Sequence, residues 1–412
     1  MPLIMPFAGL VPRPQYAGEV AAPPYDVMSA VEARTMVQGR PLSFLHISRP
    51  EIDLPEGTDP YSDQVYAKAR ESLDRMRNDG ILIRDPTARY YAYRLSVGDH
   101  RQTGLVAGAS VDAYLDGRIR RHELTRPVKE QDRVSQISAL NAQTGPVFLA
   151  YRAASAIDAR LQAVSRRPAT IDIVADDGVR HQLWSIDADD EIAELNAEFQ
   201  ALERLYIADG HHRAAAAARV AAARGLGSEG IANDPSRHFL AVIFPHDQLQ
   251  ILPYNRVVRD LNGLDAKQFL GQVAKAYRIE PSDAPVAPAP RGEAGLYLGG
   301  RWYRLRLDPA RIPAEDPIGR LDVSLLHDQL IGPILDITDP RRDERIDFVG
   351  GVRGLGGLTA RVDSDGLAAA FSLPATRMDD LMAVADAGSM MPPKSTWFEP
   401  KLADGLVSYL LE

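Results

Sequence analysis

Leu205 to Arg224 reads LYIADGHHRAAAAARVAAAR, and this stretch decides the fold. Leu205-Tyr206-Ile207-Ala208 is a short apolar run of the kind that forms a buried strand. Asp209-Gly210 interrupts it: Gly210 permits a tight turn, and Asp209 suits a helix N-cap. From Arg213 to Arg224 the residues are almost all Ala, Arg and Val, a composition of high helix propensity, and Gly225 closes the run. A strand–turn–helix of this kind points the first helical N–H groups outward at the positive end of the helix dipole, which is an anion site. His211, His212 and Arg213 add side-chain donors at the same place, and a guanidinium can hold phosphate oxygens in bidentate fashion. The alternative is a plain Asp-Gly turn followed by two surface histidines, but stability alone poorly explains three ionisable donors packed onto one helix start. A histidine metal centre is the weaker reading, because adjacent helical residues point about 100° apart and no HExxH pattern accompanies them. Asp209 stays a candidate for holding a nucleotide-bound Mg²⁺ through oxygen or water.

Working outward, apolar strands are expected at 90–95, 104–111, 147–151 and 238–244, with two more within 168–185. Helices are expected over 59–78, stopped by Asn78-Asp79-Gly80, and over 128–142 after Pro127 at its first turn. Further helices are expected at 188–201, 322–331 and 378–387. Residues 1–60 are Pro-rich and read as loops with short strands, residues 280–294 as a linker, and the Gly-rich 350–357 as a loop, since no strand–GxGxxG–helix context surrounds it. The last piece, 390–411, is turn-rich and then strand-like. Strands and helices alternate without the period of a barrel, which predicts an α/β or α+β fold with mixed sheets.

The chain has 412 residues, 45% of them hydrophobic and 25% charged, with a formal net charge of −9 and no cysteine. That length suffices for a large core and more than one lobe. The absence of cysteine removes thiolate nucleophiles, Cys-type zinc sites and iron–sulfur clusters. An acidic balance argues against nucleic acid as a partner, and no apolar run reaches the length of a membrane span. The N-terminus has no signal-peptide pattern, so a cytoplasmic location is expected. The oligomeric state is not legible.

Two other segments carry candidate chemistry. Arg121 to Arg133 is dense in charge just before and into a helix; Glu130, Asp132 and Arg133 read best as a solvated, salt-bridged helix start. Glu123 sits earlier, in a loop, where catalytic groups are common. Near the C-terminus, Met391-Pro392-Pro393-Lys394-Ser395-Thr396 is either a rigid clamp for phosphate or carboxylate, with Lys394, Ser395 and Thr396 as its donors, or the lead-in to a strand packed by Trp397 and Phe398. It is no Walker A loop, because the upstream glycines are missing.

Taken together, Ala22-Pro23-Pro24-Tyr25-Asp26-Val27, Ser43-Phe44-Leu45-His46-Ile47, His122-Glu123-Leu124-Thr125-Arg126-Pro127, Lys129-Glu130-Gln131-Asp132-Arg133, Tyr206 to Arg213 and Met391 to Phe398 resemble the family catalogued as domain of unknown function 1015. More distantly, His122-Glu123 and Asp209-Gly210-His211-His212-Arg213 resemble the layout of free-serine kinases of the ParB/sulfiredoxin-like fold. That resemblance implies a ParB-like catalytic core with a mixed sheet and additional lobes: an N-terminal lobe at 1–115, the core at 116–254, an added α/β lobe at 255–375 and a C-terminal segment at 376–412 returning to the site. It implies phosphoryl transfer from ATP or ADP, with Mg²⁺, to the hydroxyl of a small metabolite, free L-serine being the first expectation. Glu123 would be the base, Asp209 would bind Mg²⁺ or orient His211, and Gly210, His211, His212 and Arg213 would grip the phosphates, with Arg126 and Arg133 as lesser anion contacts. Two other functions fit the same cradle: a nucleotide hydrolase or nucleotide-gated switch, and a non-catalytic sensor of a phosphorylated metabolite, which has no need of Glu123.

Overall fold

The apolar run Leu205–Asp209 forms a strand, buried except at Asp209, and the Ala-rich segment after it is a helix from His211 to Ala223. The structure, a computed structural model, describes residues 2–225 and 234–412. It divides into two compact units, one of Met1–Leu249 with Pro400–Glu412 and one of Gln250–Glu399.

The first unit is built on a nine-stranded mixed sheet. Its strands in chain order are β1 (Ile4–Met5), β2 (Tyr90–Val97), β3 (His100–Ser110), β4 (Ile119–Arg120), β5 (Val147–Tyr151), β6 (Ile171–Val174), β7 (Arg180–Ile186), β8 (Leu205–Asp209) and β9 (His238–Pro245). They lie in the order β4-β8-β5-β9-β3-β2-β7-β6, with β1 pairing β3. β8 runs parallel to β4 and antiparallel to β5, while β9 is parallel to β5 and antiparallel to β3. β5 and β9 are buried at every position, which is why they read as continuous apolar runs rather than alternating ones. The mixed α/β class expected from the sequence is what the chain adopts.

Four helices matter for the site: α1 (Ala30–Met36), α2 (Asp63–Asn78), α3 (Pro127–Leu140) and α4 (His211–Ala223). Pro127 opens α3 at its first position, as expected. α4 packs on α3 and contacts β5 and β9. Ala214, Ala216 and Ala217 are at most 1% exposed, and Ala214 and Ala217 belong to one core with Leu149, Ile207, Phe239 and Ile243. The alanine run is therefore a packing device, since methyl side chains let the helix backbone approach its neighbours closely. The N-terminal 60 residues differ from the loops and short strands expected of them. α1 is a regular helix with a capping box: Glu32 N–H donates to Ser29 Oγ at 3.2 Å, and Ser29 N–H donates to Glu32 Oε2 at 2.7 Å. The Ser-x-x-Glu signature was present in the sequence, but the surrounding prolines masked it. Phe44, Leu45, Leu73, Met76 and Leu140 form a second core there.

The second unit holds a six-stranded antiparallel sheet: β10 (Tyr254–Val258), β11 (Tyr277–Ser282), β12 (Glu293–Leu298), β13 (Arg301–Leu307), β14 (Ile346–Gly350) and β15 (Ala369–Ser372), in the order β11-β13-β12-β15-β10-β14. The Gly-rich 350–357 is not a loop. It ends β14, makes one turn and enters helix α5 (Gly354–Asp365), whose Leu358 and Val362 are buried in the core of this unit. Burial of that apolar face outweighs the poor helix propensity of the glycines, about 1 kcal/mol each.

Ala216→Leu, at a fully buried position, should destabilise the first unit by about 1–3 kcal/mol through overpacking. Ala222→Leu, at an exposed position of the same helix, should change stability by less than about 0.5 kcal/mol. Equilibrium urea denaturation of the two variants checks the difference; equal effects would mean that the alanine face is not a packing constraint.

Candidate functional site

β8 ends at Asp209 and Gly210 turns the chain at φ 94°, a left-handed conformation that favours glycine. A Cβ there would meet the Arg213 guanidinium at 3.2 Å and the Val147 backbone at 3.4 Å, so the position is restricted by space as well as by φ. The helix N-cap is Gly210 rather than the expected Asp209, because the left-handed turn displaces the cap by one residue. No side chain caps α4. Its N-terminus thus keeps the unpaired N–H groups and positive dipole end that attract an anion.

Asp209 Oδ1 accepts from Gly210 N–H at 2.8 Å, and Lys401 Nζ donates to Asp209 Oδ2 at 3.0 Å. Burial pushes the Asp209 carboxyl upward, but Lys401 and Arg213 outweigh it and hold it well below the usual carboxylate range. Lys401 lies beyond the C-terminal motif read from the sequence. It sits 192 residues from Asp209, and no local pattern announces a contact over that separation.

His211 lies against the His122-Glu123 loop. The rings of His122 and His211 meet edge to face at 4.4 Å between centroids. His122 N–H donates to His211 Nε2 at 3.4 Å, so the neutral ring carries its proton on Nδ1, 3.8 Å from Glu123 Oε2. Burial lowers His122 to about 4 and, with His122 beside it, takes His211 well below its ordinary value. Burial also lowers His212, with Arg126 adding to the effect. All three imidazoles are therefore neutral at pH 7. His212 Nε2 accepts from Arg126 N–H at 2.9 Å, which leaves Nδ1–H as its donor. Glu123 is more than half exposed, with a side-chain exposure of 55%.

Arg213 departs from the role of an exposed clamp. It is 9% exposed, donates to the Pro146 carbonyl and stands 3.7 Å from Asp26. Burial works against its charge, yet Asp26 and Asp209 overcome that and keep it firmly protonated. Arg133 is likewise turned inward. Its guanidinium lies 3.9 Å over the Tyr25 ring and bonds Asp132 at 2.8 Å, and Tyr66 donates to the same carboxyl at 3.0 Å. The expectation of a solvated helix start at Asp132 and Arg133 is thus overturned. α3 buries that face against Tyr25 and Tyr66, aromatic partners that lie outside the charged segment. Glu130 accepts from Thr125 Oγ1 at 2.8 Å and from Arg219 at 3.1 Å.

Lys394, Ser395 and Thr396 belong to the second unit. Ser395 Oγ donates to the Pro392 carbonyl at 2.6 Å, Thr376 Oγ1 donates to the Ser395 carbonyl at 2.7 Å, and Thr396 leads into the strand Trp397–Glu399. The Lys394 ammonium is 5.6 Å from the Tyr254 ring centroid.

A protein-held Mg²⁺ does not fit these residues. Both Asp209 oxygens are engaged, and no group of three or more His, Cys, Asp or Glu among the described residues is arranged to hold a metal ion. Among the described residues no helix is long and apolar enough to cross a membrane.

The model of a family described as "Protein of unknown function (DUF1015)" matches residues 4–324. No curated protein matches. Among solved structures, a glutamate-to-alanine variant of a free serine kinase in complex with ADP is 13% identical with a TM-score of 0.34, covering 74% of this chain and 92% of that one. A conserved hypothetical protein from Pyrococcus furiosus is 13% identical with a TM-score of 0.35, covering 74% and 95%. C-terminally truncated SbnI from Staphylococcus aureus is 12% identical with a TM-score of 0.35, covering 73% and 85%.

Asp404 supplies a pH test of this interior. It is 2% exposed, and burial pushes its carboxyl up to about 7 against the opposing pull of Arg213. The folded chain keeps that proton up to about pH 7, whereas the unfolded chain releases it near 3.8. The unfolded state therefore binds fewer protons in between, and the contribution of Asp404 to stability declines as pH rises through that window. Asp404→Asn should match wild type near pH 4 and melt progressively higher than wild type as pH rises, levelling off above about pH 7. A melting-temperature difference that does not vary with pH would contradict this.

Proposed function

We propose that this chain, which belongs to the DUF1015 family, is a small-molecule kinase that transfers a phosphoryl group from ATP or ADP to the hydroxyl of a small metabolite, free L-serine being the first candidate. The observation that carries the reading is the approach of Glu123 to His211, at 3.8 Å, at the uncapped N-terminus of α4. An anion site and an ionisable carboxylate with solvent access stand side by side, which is the pair of parts that phosphoryl transfer to an alcohol requires. The motif order, His122-Glu123 and then Asp209 to Arg213, resembles that of free-serine kinases and supports the same reading.

In this proposal the α4 N-terminus and the His212 Nδ1–H hold the donor phosphates. Glu123 accepts the proton of the acceptor hydroxyl as its oxygen bonds to the terminal phosphorus, and the bond from that phosphorus to the nucleotide oxygen breaks with its electron pair leaving on the nucleotide. His211, through Nδ1–H, positions the Glu123 carboxylate rather than taking the proton itself, because its own basicity is suppressed by burial. Lys401 offsets the charge of Asp209 beside the phosphates. Arg213 acts from below by fixing the Gly210 turn. No step is assigned to a protein-held metal, so Mg²⁺ enters the assay only as the ordinary partner of the nucleotide.

The test incubates the purified chain with ATP or ADP, magnesium chloride and a panel of hydroxyl-bearing amino acids, L-serine first, and follows the phosphorylated product by mass spectrometry. Glu123→Gln should lower turnover by about 10²-fold or more, the scale of a lost general base, while nucleotide affinity stays within about twofold. Full activity in Glu123→Gln would remove the base assignment. Nucleotide consumption independent of any acceptor would replace the kinase reading with a hydrolase.

A further inference from the structure

We infer that the second unit carries a binding site of its own, for a small metabolite bearing a compact oxyanion, in the cleft lined by Arg256, Ser324, His327, Phe348 and Pro392-Pro393. The cleft offers about 420 Å³, within the range for metabolite sites.

Arg256 is the reason to expect an anion. It lies on β10, an inner strand of the sheet, and is 5% exposed. Its guanidinium donates to the Tyr254 carbonyl and, at 3.5 Å, to the Pro393 carbonyl, and lies 5.0 Å from the Phe348 ring centroid. Among the described residues no carboxylate pairs with it, whereas the similarly buried Arg213 has Asp26 at 3.7 Å. Burial lowers its pKa to about 10, so it remains charged at neutral pH. A buried cation without a counter-charge is costly, and a carboxylate or phosphate on the two-pronged guanidinium supplies what is missing.

Two further features of the same cleft are independent of that charge. Ser324 Oγ and His327 Nδ1 are buried, belong to residues that line it, and have no hydrogen-bond partner among the described residues. Such atoms in a native interior call for a partner from outside the chain. They also stand where the helix Asp322–Leu326 widens into a π turn at His327–Ile331, a distortion that concentrates at functional sites. The acidic side chains of the lining do not compete for Arg256. Asp316 Oδ1 accepts from Ile318 N–H at 2.9 Å, Asp339 Oδ1 accepts from Arg341 N–H at 3.0 Å, and Asp328 is exposed. Arg341 adds a second guanidinium at the exposed rim. The ligand class follows: one carboxylate or phosphate on Arg256, with a polar, hydroxyl- or amide-bearing remainder reaching Ser324 and His327. The placement also accounts for part of the C-terminal motif. Pro392 and Pro393 wall the cleft, and Lys394, held at a positive φ of 56°, covers the Tyr254 ring two residues from Arg256.

Isothermal titration calorimetry of the full chain at constant ionic strength tests this, with inorganic phosphate as the probe in one series and malonate in the other. Saturable binding of at least one anion is expected, weakened about tenfold or more by Arg256→Met and about threefold by Arg341→Ala. Neither substitution lies in the first unit, so the differences isolate this cleft from anion binding near α4 and leave the kinase proposal untouched. Binding of phosphate alone assigns a phosphorylated ligand, and of malonate alone a carboxylated one. Arg341→Ala, on the surface, decides the matter if Arg256→Met fails to fold. Isotherms that are identical in wild type and the folded variants, or no saturable binding of either anion, overturn the inference.

Discussion

Burying the charge of one turn is the constraint on which the first unit depends. Arg213 and Asp404 lie beneath the junction of β8 and α4, away from bulk water, where an uncompensated charge would cost several kcal/mol, and the partly exposed Asp209 stands at its edge. The chain meets that cost by bringing opposite charges from distant segments. Lys401 arrives from the C-terminal strand region to pair with Asp209, and Asp26 from the N-terminal region to approach Arg213. The Pro146 carbonyl takes one Arg213 donor. Segments at the two ends of the first unit are thus tied to its central turn by electrostatics as well as by apolar packing.

The same arrangement sets the chemistry available at the surface of the turn. Above these charges stand an uncapped helix start, the partly exposed His212 and the exposed Glu123, with the neutral rings of His122 and His211 buried behind them. Neutral imidazoles donate one hydrogen bond and accept another without adding net charge. His211 and His212 each use Nε2 to accept a backbone N–H, from His122 and Arg126, which fixes both rings and locks the loop 122–126 to α4. This pair of backbone contacts carries Glu123 to the helix start, 3.8 Å from His211 Nδ1.

In the second unit the balance is reversed. There the sheet buries Arg256 with carbonyls and an aromatic face but, among the described residues, no acid. The contrast with Arg213, equally buried but paired, separates a structural cation from one that lacks its counter-ion.

The sequence alone was enough for the elements whose information is local. The β8–turn–α4 unit, the Pro127 start of α3 and the continuous apolar strands β5 and β9 could be read because strand burial, glycine turns and alanine helices are written in neighbouring residues. The proximity of His122-Glu123 to His211 followed from motif resemblance, not from periodicity. Where side chains point was decided only by tertiary structure. Asp132 and Arg133 looked like solvent charges until Tyr25 and Tyr66 closed over them. Arg213 looked like an outward clamp until Asp26 and Pro146 drew it inward. Lys401 had no signal at all, and the glycines at 350–357 became helical because Leu358 and Val362 found a core. Charge pairing and burial act through space between residues far apart in the chain, and the energies that settle them do not exist until the chain has folded.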